Sequence, residues 1–128
     1  MNRIVLDASA LLALLNQEPG AETLTPELLS GAAISTVNLA EVHGKLVGRG
    51  LSPEDAWEAA LGPIREAVPF TAEHARLVGD LVAQTRLLGL SLGDRACLAL
   101  GLALKAPVYT ADKSWKKLKL GAHIHIIR

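Results

Sequence analysis

LSLGDRACLALGLALKAPVYTADKSW, residues 90–115, carries an acid at each end of a segment otherwise composed like a protein core. Asp94 opens the apolar helical pattern LGDRACLALGLAL (92–104), and Asp112 follows the strand-like run PVYT (107–110). Pro107 suits the first position of a strand, where a missing amide matters least. A long apolar helix delivered directly into a short β-branched run is the repeating half of a parallel sheet covered by helices.

The same alternation recurs outward from this segment. Besides PVYT, strands are predicted at RIVL (3–6), AAIST (32–36), AVPF (67–70) and HIHII (123–127). Helical period fills the gaps at ASALLALLN (8–16), about 21–29, VNLAEVHGKLVGR (37–49), PEDAWEAALGPI (53–64) and AEHARLVGDLVAQTRLL (72–88). Ser52 with Pro53 and Asp55, and Thr71 with Glu73, read as helix starts, while Gly31, Gly50 and Gly89 read as stops. The expected class is α/β, with a central, mainly parallel sheet of about five strands.

Composition bounds the rest. With 128 residues, half of them hydrophobic, the chain has room for one compact domain over residues 1–128, and no repeat or linker divides it. Thirteen basic and thirteen acidic side chains cancel, so any polyanion site must be local rather than spread over a basic surface. Cys97 is the single cysteine, which excludes an intrachain disulfide and a cysteine-based zinc cluster and fits a reducing compartment; cytoplasm is the expectation. The N-terminal MNRIVLDASALLALL imitates a secretory signal, but Asp7 interrupts its apolar run too early. Residues 96–104 fall well short of the roughly 20 needed to span a bilayer, and a soluble chain with no membrane partner is expected.

The placement of the acids carries the functional reading. Asp7 follows the first strand, Glu41 lies in the second turn of the helix after AAIST, Asp94 opens the apolar helix, and Asp112 follows PVYT. In an open parallel sheet the strand C-termini share one edge, and ligands bind in the crevice there. Singly, each acid has a structural explanation: Asp7 and Asp112 suit helix N-caps, and Ser91 with Asp94 suits a capping box. Glu41 sits past the first turn, where neither a cap nor the helix dipole calls for an acid. On a helical wheel it shares a stripe with Val37, Gly44 and Gly48, which predicts close approach of a neighbour and a Glu41 turned toward protein. Four carboxylates in one crevice repel one another unless a cation neutralises them. Oxygen-only donors favour a hard ion, Mg²⁺ or Mn²⁺, over zinc, and the chemistry that follows is metal-assisted attack of water on a phosphodiester.

The series IVLDASALLALL, ISTVNLAEVHGKL, LSLGDRACLALGLAL and PVYTADKSW closely resembles the PIN-domain ribonucleases, and among them the compact toxins of VapC type, over nearly the whole chain. The resemblance implies a three-layer α/β/α sandwich. It implies that Asp7, Glu41, Asp94 and Asp112 are the acidic quartet holding Mg²⁺ or Mn²⁺, supported by the hydroxyl of Ser9. It further implies an endoribonuclease that inhibits translation by cutting structured RNA such as tRNA or rRNA, a cognate antitoxin that blocks the crevice, and a homodimer. A catalytically silent RNA- or protein-binding module of the same fold is the alternative.

For phosphate contacts the sequence offers Arg95 beside the site, and Lys113, Lys116, Lys117 and Lys119 after Asp112, with Trp115 among them read as a core anchor. His123 and His125 share a strand face without an acidic or cysteine partner at ligand spacing, and His43 and His74 lie in helices equally alone. Cys97 reads as a small core hydrophobe. The Gly44–Lys45 pair lacks the upstream glycine of a phosphate loop, and no GxGxxG is present. An aspartyl phosphatase of the haloacid dehalogenase type is disfavoured because Ser9 stands where its second Asp belongs.

Overall fold

The computed structural model describes residues 2–128. Its centre is β1 (Ile4–Leu6), an apolar strand buried on both faces. Ile4 and Leu6 pack with Ala10, Ala13 and Tyr109, while Val5, one step along the pleat, packs with Cys97, Leu98 and Val108 on the other side. The remaining strands are β2 (Ala32–Ser35), β3 (Glu66–Val68), β4 (Val108–Thr110) and β5 (Ile124–Ile126). They form one sheet in the order β3-β2-β1-β4-β5, with every pair parallel.

Helices cover both faces. On one side α1 (Ala8–Leu15) and α4 (Pro53–Leu61) bury Leu11, Ala56 and Ala60, and the short α2 (Pro26–Leu29) packs a half-buried Leu28. On the other, α7 (Leu92–Leu104) lies on β1, β2 and β4, with α5 (Ala72–Asp80) against it. A Cβ at Gly101 would collide with Cγ2 of Val108, so that glycine lets α7 press onto β4. Helix α3 (Thr36–Gly48) touches α1 and α4 on one hand and α7 on the other, closing the end of the sheet where β1, β2 and β4 finish. Strand order reverses between β2 and β4 around β1, and this switch point is where a crevice opens in such sheets. The result is the expected three-layer α/β/α sandwich. Among the described residues no helix is long and apolar enough to cross a membrane.

Several predicted elements change form. The helix expected over 72–88 is broken into α5, α6 (Val82–Thr85) and a 3₁₀ turn at Arg86–Leu88. The buried Thr85 hydroxyl donates to the Leu81 carbonyl at 2.7 Å and accepts from Arg95 Nε at 3.0 Å, and the bend lets Leu81 and Leu90 join the core under α7. The helix expected near 21–29 divides because Thr25 must be extended before Pro26, leaving a 3₁₀ turn at Ala21–Thr23 and α2. Helix α4 ends at Leu61 rather than residue 64: Gly62 is still right-handed, but Pro63 has no N–H to continue the ladder. After Asp112 the chain forms only a 3₁₀ helix, Lys113–Lys117, with Trp115 buried as its core anchor.

Candidate functional site

Asp7 leaves β1 and caps α1, its carboxylate accepting the Ala10 N–H at 2.8 Å. It is 4 % exposed and sits in a nest of hydroxyls. Ser9 Oγ lies 2.8 and 2.9 Å from its two oxygens and donates to the carboxylate, and Thr110 Oγ1 donates to Oδ2 at 2.6 Å. Thr110 also accepts the Asp112 N–H at 3.0 Å, while Ser9 Oγ accepts the Ala111 N–H at 2.9 Å, so two hydroxyls tie the end of β4 to the end of β1. Burial pushes the Asp7 carboxyl up from 3.8 to about 6; the hydrogen bonds from Thr110, Ala10 and Ser9 oppose the rise, and the charge of Asp94 adds to it.

Asp94 and Asp112 do cap helices, as their sequence positions allow. Ser91 and Asp94 form a reciprocal capping box, with Asp94 Oδ2 accepting the Ser91 N–H at 3.0 Å and Ser91 Oγ accepting the Asp94 N–H at 3.1 Å. Asp112 Oδ1 accepts from the Ser114 amide at 2.9 Å and hydroxyl at 2.7 Å. Each of these caps engages one oxygen of its carboxylate. Capping therefore fixes the direction of the acids without consuming them.

Glu41 corrects the sequence reading. It is exposed, and a Cβ added at Gly44 or Gly48 would meet nothing within 4 Å, so no neighbour packs on the glycines of that stripe, although Val37 packs with Ala96 and Ala99. The glycine that matters is Gly93 on α7: a Cβ there would lie 2.6 Å from Glu41 Oε2 and 2.7 Å from Cδ. Asn38, one turn before Glu41 and 1 % exposed, donates to Glu41 Oε1 at 3.0 Å and to the Gly93 carbonyl at 2.9 Å. Its amide thus clamps the carboxylate over the start of α7. Asn38 Oδ1 is buried without a hydrogen-bond partner.

These pieces meet. Asp7, Ser9, Asn38, Glu41, Asp94 and Asp112 all line one cleft of about 450 Å³ at the C-terminal edge of the sheet. Behind it, burial and then the charges of Asp7, Asp94 and Glu41 hold the Cys97 thiol well above its usual range, leaving it an inert core group. Lys113, Lys116, Lys117 and Lys119 do not line the cleft, and neither does Arg95, which is engaged with Thr85. The cations that do line it are Lys45, Arg49 and Arg128, the last ion-paired with Glu18. Sequence reasoning missed these, together with Asn38 and Thr110. The one available signal was the spacing Glu41, Lys45, Arg49, which places all three on one helical face.

The donor set suits a hard cation: oxygen only, with one buried carboxyl whose charge is poorly compensated. Among the described residues no three His, Cys, Asp or Glu side chains close directly around one metal position. An ion that keeps part of its water shell, as Mg²⁺ does, would meet some of these acids directly and others through water.

The chain matches the PIN domain family over residues 4–120. It is a PIN-domain protein. No curated protein matches it in sequence. Solved structures share the fold of this PIN domain at low identity. The VapBC2 structure from Rickettsia felis, bound to a promoter DNA fragment, aligns at 20 % identity over 98 % of each chain with a TM-score of 0.74. DNA-bound VapBC from Salmonella typhimurium aligns at 16 % over 100 % of each chain, TM-score 0.76. VapC20 of Mycobacterium tuberculosis, described as a Sarcin-Ricin loop cleaving toxin, aligns at 20 % over 91 % of this chain and 96 % of its own, TM-score 0.73.

Proposed function

We propose that this PIN domain is a divalent-metal-dependent endoribonuclease and the toxin of a toxin–antitoxin pair. The observation that carries the reading is the meeting of four acids, from four separated segments, in one cleft at the sheet's switch point. Asp7, Glu41, Asp94 and Asp112 would hold Mg²⁺ or Mn²⁺. When bound, such an ion supplies a water of lowered pKa and charge stabilisation on phosphoryl and leaving oxygens. The chain's own part is preorganisation. Ser9 and Thr110 fix both oxygens of Asp7, the Ser91 box and the Ser114 contacts aim Asp94 and Asp112, and Asn38 holds Glu41 over Gly93. With its pKa raised to about 6 by burial, Asp7 brings its charge to the cleft toward neutral pH.

The described activity of VapC20 supports an RNA substrate, with tRNA or rRNA as the class, and the VapBC complexes support an antitoxin partner. A homodimer and a cytoplasmic location complete the proposal, the latter consistent with a lone buried Cys97. The local caps favour one rival, a silent module whose acids only stabilise helices. Incubating antitoxin-free protein with total RNA separates the two. Cleavage in Mg²⁺ or Mn²⁺ that stops with chelator or in Asp94→Asn is the expected result; intact RNA in every condition favours the silent module.

A further inference from the structure

The four acids make a poor landing place for a polyanion, and the net charge of the chain is zero, so the means of holding RNA must be found beside them. The far part of the same cleft provides it. Lys45 and Arg49 follow Glu41 along α3 at successive steps of four residues, each an advance of about 6 Å along the helix. Both line the cleft and both are exposed. Arg128 also lines the cleft but is ion-paired with Glu18, so the positive excess there is that of Lys45 and Arg49.

We propose that a single strand of RNA follows α3 along the cleft, with Lys45 and Arg49 taking successive phosphates on one side of the bond cleaved at the acids. The inference rests on the nuclease reading above and adds the path of the substrate. A sugar-phosphate backbone needs cationic donors spaced along its length, and Lys45 and Arg49 supply two in the same cleft as the acids. The lysine-rich segment after Asp112 lacks that relation: Lys116 faces a separate cavity with Trp115 and Ile124, away from the acids.

The test measures binding of a fluorescein-labelled, mixed-sequence single-stranded RNA by anisotropy in chelator over a range of salt, and cleavage of the same RNA in Mg²⁺. Each lost phosphate contact lowers the slope of log affinity against log salt by about 0.7 for single strands. Lys45→Gln with Arg49→Gln should therefore flatten the slope by about 1.4 and raise KM with kcat retained. Lys116→Gln with Lys117→Gln should leave the slope unchanged. If the wild type binds and cleaves but the α3 variants match it, while the Lys116 and Lys117 variants lose affinity, the path is wrong and the nuclease reading stands. A wild type that neither binds nor cleaves RNA overturns both.

Discussion

Asp7 offers a sharp stability test because the same burial that readies it for a cation should weaken the metal-free fold. In the folded protein its carboxyl holds a proton up to about pH 6, whereas in the unfolded chain it releases it near 3.8. Between those values the unfolded state binds fewer protons, so stability falls as pH rises through the window and stays reduced above it. A shift of about two units corresponds to roughly 3 kcal/mol as an upper bound. Asp7→Asn removes the charge and keeps an oxygen for the Ala10 amide, at the cost of turning the Ser9 and Thr110 hydroxyls toward the new amide. A net gain of about 1–2 kcal/mol is expected at neutral pH, or a rise in Tm of several degrees, on the order of 3–8 °C. Thermal unfolding in chelator at about pH 8 and again at about pH 4 should show the gain only at the higher pH. Adding Mg²⁺ should then stabilise the wild type by mass action and Asp7→Asn far less. If Asp7→Asn is no more stable than wild type at the higher pH, Asp7 is a helix cap first and the argument from an unmatched buried charge fails.

Gly93→Ala should displace the flexible end of Glu41 without unfolding the protein, since Ala is the better helix former; unchanged or raised Tm with cleavage down about 10²-fold is the expected pair of readings. Asn38→Ala should weaken Mn²⁺ binding measured calorimetrically, and Asn38→Asp, which cannot donate to Glu41, should do no better. Thr110→Val removes the donor to Asp7 and leaves the Asp112 amide without its acceptor; cleavage should fall and its pH profile move upward, because one of the bonds that holds the Asp7 pKa down is gone. For Asp94→Asn, the capping geometry is nearly preserved, so circular dichroism should report an intact fold while cleavage is lost. A melted fold with unchanged metal affinity would assign Asp94 to capping alone.

How far the sequence could be read depended on whether local pattern or distant packing set the outcome. The alternation of β-branched runs and helical period gave the parallel sheet directly, because strands buried on both faces must be largely apolar, as IVL is and as VYT is but for the hydrogen-bonded Thr110 and the hydroxyl of Tyr109. The acids were legible for a related reason: polar residues at the ends of such strands stand out. Glu41 does line the cleft, but beside another neighbour than expected, since Gly44 and Gly48 face open space and the glycine that accommodates it belongs to α7. Local periodicity could not report a contact between helices that lie far apart in the chain. The break inside 72–88 was hidden similarly, because it follows from Arg95 reaching Thr85. The lysines after Asp112 drew attention by density alone, whereas the cations of the cleft are scattered over positions 45, 49 and 128 and meet only in the fold.

The central claim is that carboxylates from four parts of the chain share a divalent cation. Anomalous diffraction from crystals soaked in Mn²⁺ tests it most directly. A peak in the cleft bordered by Asp7, Glu41, Asp94 and Asp112, absent from crystals of Asp7→Asn, is the predicted result. No peak there at saturating Mn²⁺, or one only at sites away from Asp7, would contradict it.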